Sequence, residues 1–396
     1  MTTQQKIFLL GGGGVPNYGD ELIIQSWLNW YTKDLGLPGR SVTVSGSHRT
    51  VLHKLFGNAY PSVKFSQRVR EARWRPETTF YESVSHGYGY LSDPEHADSP
   101  LHRELHGTTV FHLHGGGYLN TKWPTHGFML GIALWAKENL GCRLVGTGLG
   151  LGPMPGPDAD DEVTAQAFRA FDILEVRDEW SFDFLKNHDL HDDPVFGYDD
   201  AFLQPLHPKR RPGSTLHLSL RHDEAGAKIS RWIPQRFVES FDHHVFWSCT
   251  GQDAGAFVAL AKRFPYFELA TTHRLLFDLP VSKRDFMIAQ RFHPHLVGAR
   301  LDMQGMFRTG SDYYDIKHRL VTDLGSPFVL GDLEDLKKAP IAWEPSEMAL
   351  QSADYVADKR RLASRILPGV GFATSPSAVQ LAGYSLGQLG RRIFKS

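Results

Sequence analysis

Three times before residue 153 the chain runs from a short apolar stretch straight into a cluster of glycines. Ile7-Phe8-Leu9-Leu10 leads into Gly11 to Gly14, Thr109 to His114 into Gly115-Gly116-Gly117, and Arg143 to Thr147 into Gly148, Gly150 and Gly152. Apolar runs this short, closed by glycine, read as buried strands rather than helices. A helix follows the first turn: Leu22, Ile23, Trp27 and Leu28 recur at helical spacing, and Asp20 and Glu21 stand where a helix N-terminus favours negative charge. Phe128 to Leu140 reads as a second helix, ended by Gly141, and Glu162 to Phe171 as a third. Ile173 to Val176 is strand-like, and Asp178 is placed to cap a helix through Lys186. Strands alternating with helices over 200 residues imply βαβ units and a mostly parallel sheet. In such sheets ligands bind beyond the carboxyl ends of the strands, so the glycine turns are candidate site loops.

The pattern breaks at residues 205–213, where three prolines and three basic residues fall together, and then resumes. Thr215 to Leu220 and Val245 to Cys249 read as strands, Phe237 to Phe241 and Ala254 to Phe264 as helices, and Phe328 to Leu330 as a last short strand. This divides the chain into a first domain at 1–204, a linker at 205–213, a second domain at 214–345 and a C-terminal helical tail at 346–396.

Composition excludes several classes. The 43 Lys and Arg against 44 Asp and Glu leave no basic excess for a general nucleic-acid binder. Cys142 and Cys249 are the only cysteines, too few for a disulfide framework or a cysteine zinc site. With no apolar run long enough for a signal peptide or a bilayer span, the expected location is cytoplasmic. The near-neutral charge is a cancellation: residues 359–396 carry seven Lys and Arg and no acid, leaving 36 basic against 44 acidic residues elsewhere. That tail is a candidate for a solvated helical face packing back on the first domain, or for peripheral contact with anionic lipid at the inner membrane face.

None of the glycine turns matches a phosphate-binding P-loop, and Asn17 stands where the dinucleotide fingerprint after Gly12-x-Gly14 wants glycine. Twenty histidines invite a metal, but there is no His-Glu-x-x-His and the spacing converges no three ligands; no metal or other cofactor is expected. Sharper chemistry sits in the second half. Arg221 directly follows the apolar run Leu216 to Leu220, and Arg291-Phe292-His293 sets a fixed cation and a titratable imidazole about an apolar spacer. A guanidinium grips phosphate or carboxylate bidentately and an imidazole exchanges protons near neutrality, so these residues suit an anionic substrate.

In order along the chain, Asn17-Tyr18-Gly19-Asp20-Glu21, His114-Gly115-Gly116-Gly117, Gly146-Thr147-Gly148-Leu149-Gly150, Val176-Arg177-Asp178-Glu179, Asp199-Asp200-Ala201-Phe202, Ser219-Leu220-Arg221 and Arg291-Phe292-His293 resemble the motifs of the polysaccharide pyruvyl transferases over about residues 7–320. The resemblance implies an α/β fold of two Rossmann-like domains facing across a cleft, the GT-B-like architecture of many glycosyltransferases. It also implies an enzyme that moves the enolpyruvyl carbons of phosphoenolpyruvate onto two hydroxyls of a sugar, which is itself lipid-linked in one version of this reading. Arg221, Arg291, Phe292, His293 and Lys317 would then hold the donor, with His293 as acid/base and Arg221 and Arg291 completing the catalytic set. Asn17, Asp20, Glu21, His114, Gly115, Gly116 and Gly117 would hold the acceptor. Two rivals share the scaffold: a nucleotide-sugar glycosyltransferase and a non-catalytic glycan-binding protein.

Overall fold

A computed structural model describes residues 5–73, 79–156, 161–308, 312–331, 336 and 345–371. Seven strands form a sheet that is parallel throughout: β1 (Ile7–Leu10), β2 (Val42–Ser45), β3 (Lys64–Ser66), β4 (Val110–Leu113), β5 (Arg143–Leu149), β6 (Ile173–Val176) and β7 (Val195–Phe196), in the order β3-β2-β1-β4-β5-β6-β7. Every residue of β1, β2, β4 and β6 is buried, as a sheet covered by helices on both faces requires. The helix Gly127–Leu140 ends at Gly141, whose φ of 63° is the left-handed conformation that a glycine adopts without a steric penalty. Residues 39–107 carry none of the glycine-turn signals; β2 and β3 are short, half-polar strands that only their neighbours in the sheet define.

After β8 (Lys209–Arg210), a second sheet takes β9 (Ser214–Ser219), β10 (His243–Ser248), β11 (Glu268–Thr271), β13 (Arg284–Ala289), β14 (Gln304–Phe307) and β15 (Val329–Leu330) in the order β11-β10-β9-β13-β14-β15. Both sheets therefore reverse direction in the Rossmann manner, between β1 and β4 in the first and between β9 and β13 in the second. The proline-rich connector is more than a solvated tether: β8 pairs with β12 (Pro280–Val281), and the Lys209 amide donates to Leu279 O at 2.8 Å. Phe292-His293-Pro294 forms the first turn of a helix, Phe292–Arg300, where the missing amide of Pro294 removes no intrahelical bond.

The carboxyl edges of the two sheets meet. The Tyr18 amide donates to Cys249 O at 2.8 Å, Asn17 bridges Thr250, and the Tyr18 ring meets Trp247 edge-on at 5.6 Å. Arg300, at the far end of the helix that starts with Phe292, donates to the carbonyls of Ala201 and Gln204 and lies over the Phe202 ring. The last described helix, Glu347–Ser364, leaves Met348 and Tyr355 in the second domain's core and carries Leu362 and Ala363 into the first domain's core, where Ile366 and Leu367 join them. This crossing removes charge from the expected basic surface. Lys359 is buried, Arg360 pairs with Asp34 at 3.0 Å and Arg361 with Asp358 at 2.8 Å. Arg391, Arg392 and Lys395 lie outside the described residues. Among those described, no helix is long and apolar enough to cross a membrane.

Candidate active site

The imidazole of His293 is held between the domains. It sits in the first turn of Phe292–Arg300, which follows β13, and reaches across to the helix Tyr18–Asn29, which follows β1. The fit is made by Gly19: an ideal Cβ there would fall 1.8 Å from His293 Nδ1. On its other side His293 Nε2 lies 3.5 Å from Asp199 Oδ1. Asp199 is buried, pairs with the equally buried Arg177, and accepts the Ala201 amide at 2.8 Å. Burial alone drives the Asp199 pKa up, but the charges of His293 and Arg177 outweigh it and hold the carboxylate well below its usual range. The carboxylate that faces the imidazole is therefore a buried, ionised one.

Arg177 also lies over the Phe292 ring, 4.9 Å from its centroid, so the apolar spacer of the Arg-Phe-His motif is a platform for a cation from the opposite domain. The two arginines of the second domain stand on adjacent strands. Arg221 follows β9, Arg291 follows β13, and Gln290 ties them by accepting the Arg221 amide at 2.8 Å. The Arg221 guanidinium meets Asp223 at 3.2 Å; that of Arg291 donates to Thr250 Oγ1 at 3.0 Å and pairs with Asp253. Thr250 is the residue that bridges Asn17, so Arg291 sits at the point where the two edges touch.

Beside this centre lies a narrow cleft lined by Gly117, Gly150, Gly152, Arg177, Asp178 and Trp180 from the first domain and Ile316 and Lys317 from the second. Burial, aided by repulsion from Arg177, lowers the Lys317 ammonium to about 7. Asp20 lies under the glycine turns, against Gly12 and Gly116, and takes a hydrogen bond from Asn17 Nδ2 at 2.7 Å.

The remaining acceptor candidates sit deeper. Glu21 is fully buried, accepts the Gly14 amide at 2.8 Å, and burial pushes its carboxyl up to about 8. His114 is also fully buried, packed under Gly11, with Nδ1 3.0 Å from Gly115 O. These two side chains brace the first and second glycine turns from beneath, whereas Gly117 lines the cleft and Asn17 and Asp20 are only partly buried. Among the described residues no three His, Cys, Asp or Glu converge as a metal site.

The architecture is thus two facing Rossmann-like domains of GT-B type, with charged residues at both switch points. The family model described as Polysaccharide pyruvyl transferase matches residues 17–245. The chain belongs to the polysaccharide pyruvyl transferase family. That span takes in Asn17, Asp20, Arg177, Asp199 and Arg221; Arg291, His293 and Lys317 lie beyond it. Solved structures with a similar course of chain include the UDP-GlcNAc 2-epimerase from Neisseria meningitidis (10% identity, 93% of this chain and 96% of that one, TM-score 0.49). A putative UDP-N-acetylglucosamine 2-epimerase from Listeria monocytogenes (12%, 92% and 92%, 0.48) and Acinetobacter baumannii MurG (11%, 91% and 94%, 0.41) are similar at the same level. No curated protein sequence matches significantly.

Two residues of this pyruvyl transferase family member's site, Arg177 and Asp199, stand in the motifs that carry the resemblance but have no assigned role there. Arg177 follows the fully buried strand β6, the same signal that points to Arg221 after β9. Asp199 reads in sequence as a turn or cap, and it does cap the single turn Asp200–Phe202; its second partner, His293, is 94 positions away and leaves no local trace.

Proposed function

We propose that the protein transfers the enolpyruvyl group of phosphoenolpyruvate to two hydroxyls of a sugar, giving a pyruvate ketal and phosphate. Family membership supports a transferase acting in polysaccharide pyruvylation. The observation that carries the donor and the chemistry is the Asp199–His293 pair, flanked by Arg291 and Arg177 at the junction of the two domains. In this reaction the methylene carbon of the donor takes a proton, the central carbon becomes electrophilic and one hydroxyl attacks it. Phosphate leaves, and the second hydroxyl closes the ring. Of the two hydroxyl protons, one ends on the methyl carbon and the other on phosphate. His293, kept oriented by Asp199, carries the proton; a positioned acid/base of this kind contributes about 10²- to 10⁴-fold. The guanidiniums of Arg221 and Arg291 hold the donor's two anionic groups and offset charge on the departing phosphate.

Incubation with phosphoenolpyruvate and a panel of sugars, read by phosphate release and by the mass gain of a pyruvyl ketal, tests this. Calorimetric binding of a nucleotide sugar, with none of phosphoenolpyruvate, would move the assignment to glycosyl transfer.

Arg291→Lys is expected to weaken the donor by about 10- to 100-fold, since an ammonium loses at least one charge-assisted bond worth about 1.5–3 kcal/mol. Titration calorimetry measures this, and unchanged affinity removes the clamp role. Lys317 gives a pH signature. Its amine lies near 7, and only the ammonium attracts an anion, so donor binding takes up a proton and affinity falls as pH rises above about 7. The slope vanishes in Lys317→Met; the same pH dependence in that variant assigns the proton elsewhere.

Peripheral membrane contact belongs to the same reading, with residues 372–396 supplying Arg391, Arg392 and Lys395. At roughly 1 kcal/mol per cation near an anionic surface, a chain ending at residue 371 is expected to sediment less with phosphatidylserine vesicles. Equal sedimentation of both chains discards the contact. The cut falls after residue 371 because one at Asp358 would also remove the buried Lys359.

A further inference from the structure

Lys359 is the one charge of the crossing helix that enters the first domain's interior, and it enters beneath the glycine turns. Its ammonium pairs with Glu175, stands 2.6 Å from Asp200 Oδ1 and donates to Tyr198 O at 2.8 Å. Both carboxylates hold loops at the cleft. Asp200 Oδ2 accepts the Gly115 amide at 2.6 Å, Thr147 Oγ1 at 2.8 Å and Trp27 Nε1 at 2.7 Å. Glu175 accepts the Gly148 amide at 3.0 Å and the Tyr198 amide at 3.2 Å. The turn after β4 and the end of β5 that leads into the next turn thus hang on two carboxylates that are buried and share one cation. Without it, two negative charges would face each other out of water, and neither would keep its present place as an ionised acceptor.

The helix that delivers the lysine is anchored in the other domain. Ser346 caps it, donating to Ala299 O at 2.9 Å, and Met348 and Tyr355 lie in the second domain's core. Asp199, the neighbour of Asp200, orients His293. One short segment therefore faces the imidazole with one residue and the glycine turns with the next.

We propose that Lys359 is a positioning residue for the acceptor side of the site: through Asp200 and Glu175 it sets the turns at 115–117 and 148–150 in the shape that receives the sugar. Its kinetic consequence rests on the transfer reaction proposed above; its structural consequence does not, and the two are read separately.

Lys359→Met/Glu175→Gln removes one charge of each sign and is the variant to measure. Hydrogen exchange is expected to speed up in peptides covering 114–120 and 146–152 and to stay unchanged at 292–300, while donor affinity stays within twofold. Acceptor KM is expected to rise at least tenfold with kcat little changed. Lys359→Arg, which keeps the cation at another length, is expected to fall between this variant and the native chain in both readouts. A folded double variant with native exchange at both turns and native acceptor KM overturns the proposal, as does a loss in which donor affinity, kcat and melting temperature all fall together. If the double variant does not fold, Lys359→Arg decides: faster exchange confined to the two turns supports the role, and native exchange refutes it. Should no sugar accept pyruvate from the native chain, the kinetic arm fails with the proposed function while the exchange arm still reads the role of Lys359.

Discussion

His293→Ala is expected to fold, to bind phosphoenolpyruvate within a few-fold of the native affinity, and to lose about 10²- to 10⁴-fold in turnover. The split follows from what each group touches. The arginines proposed to grip the donor are held by their own partners, Arg221 by Asp223 and Arg291 by Asp253 and Thr250, so deleting the imidazole leaves them in place. Asp199 keeps Arg177 and the Ala201 amide, so the buried carboxylate is not stranded. Only the proposed proton carrier goes. Calorimetry for the donor and quenched-flow phosphate release for turnover measure the two quantities, and turnover within threefold of native would hand the proton to another residue. Asp199→Asn should reproduce part of the loss, because it removes the negative charge 3.5 Å from His293 Nε2 while keeping a group of similar shape.

A single methyl group at position 19 is expected to do nearly as much damage. Gly19 lies in the first turn of Tyr18–Asn29, a place where alanine is ordinarily the better helix former, and its backbone does not require glycine. The requirement is steric. The added Cβ would sit 1.8 Å from His293 Nδ1, a distance no non-bonded pair of heavy atoms tolerates, and the imidazole is the partner able to move. Displacing a reacting group by about 1 Å costs on the order of 10²-fold. Gly19→Ala should therefore keep its melting temperature, keep its donor affinity and lose about 10²-fold in turnover. Because both substitutions act on one imidazole, Gly19→Ala/His293→Ala should be no slower than His293→Ala alone. Additive losses would show that position 19 acts on something else, such as the acceptor.

The same pair of predictions marks how far local sequence reaches. The strand–turn–helix units are legible because each is a local pattern: β1, β4 and β6 fall on the apolar runs that announce them, and Asp178 caps its helix by accepting the Ser181 amide at 2.8 Å. Arg221 is legible for the same reason, an arginine at the end of a buried strand. Glu21 and His114 share the motifs of the glycine turns, yet their side chains point under those turns, and only the packing of a second layer tells a brace from a contact.

Lys359 illustrates the limit most plainly. In the sequence it opens a run with seven cations and no acid, which reads as a surface; in the fold it is neutralised by Glu175 and Asp200 in the interior. Charge along the chain cannot distinguish the two, because the partners are 184 and 159 positions away. The sequence by itself determined the strand–helix alternation of a mostly parallel α/β fold, the glycine turns and the cation that follows β9, since apolar periodicity and turn chemistry act within a few residues. The tertiary structure decided which groups meet: Gly19 with His293, Asp199 with Arg177, and the crossing helix with the carboxylates that hold the glycine turns. Those meetings depend on how the two domains and the last helix pack, and electrostatics and sterics act through space, not along the chain.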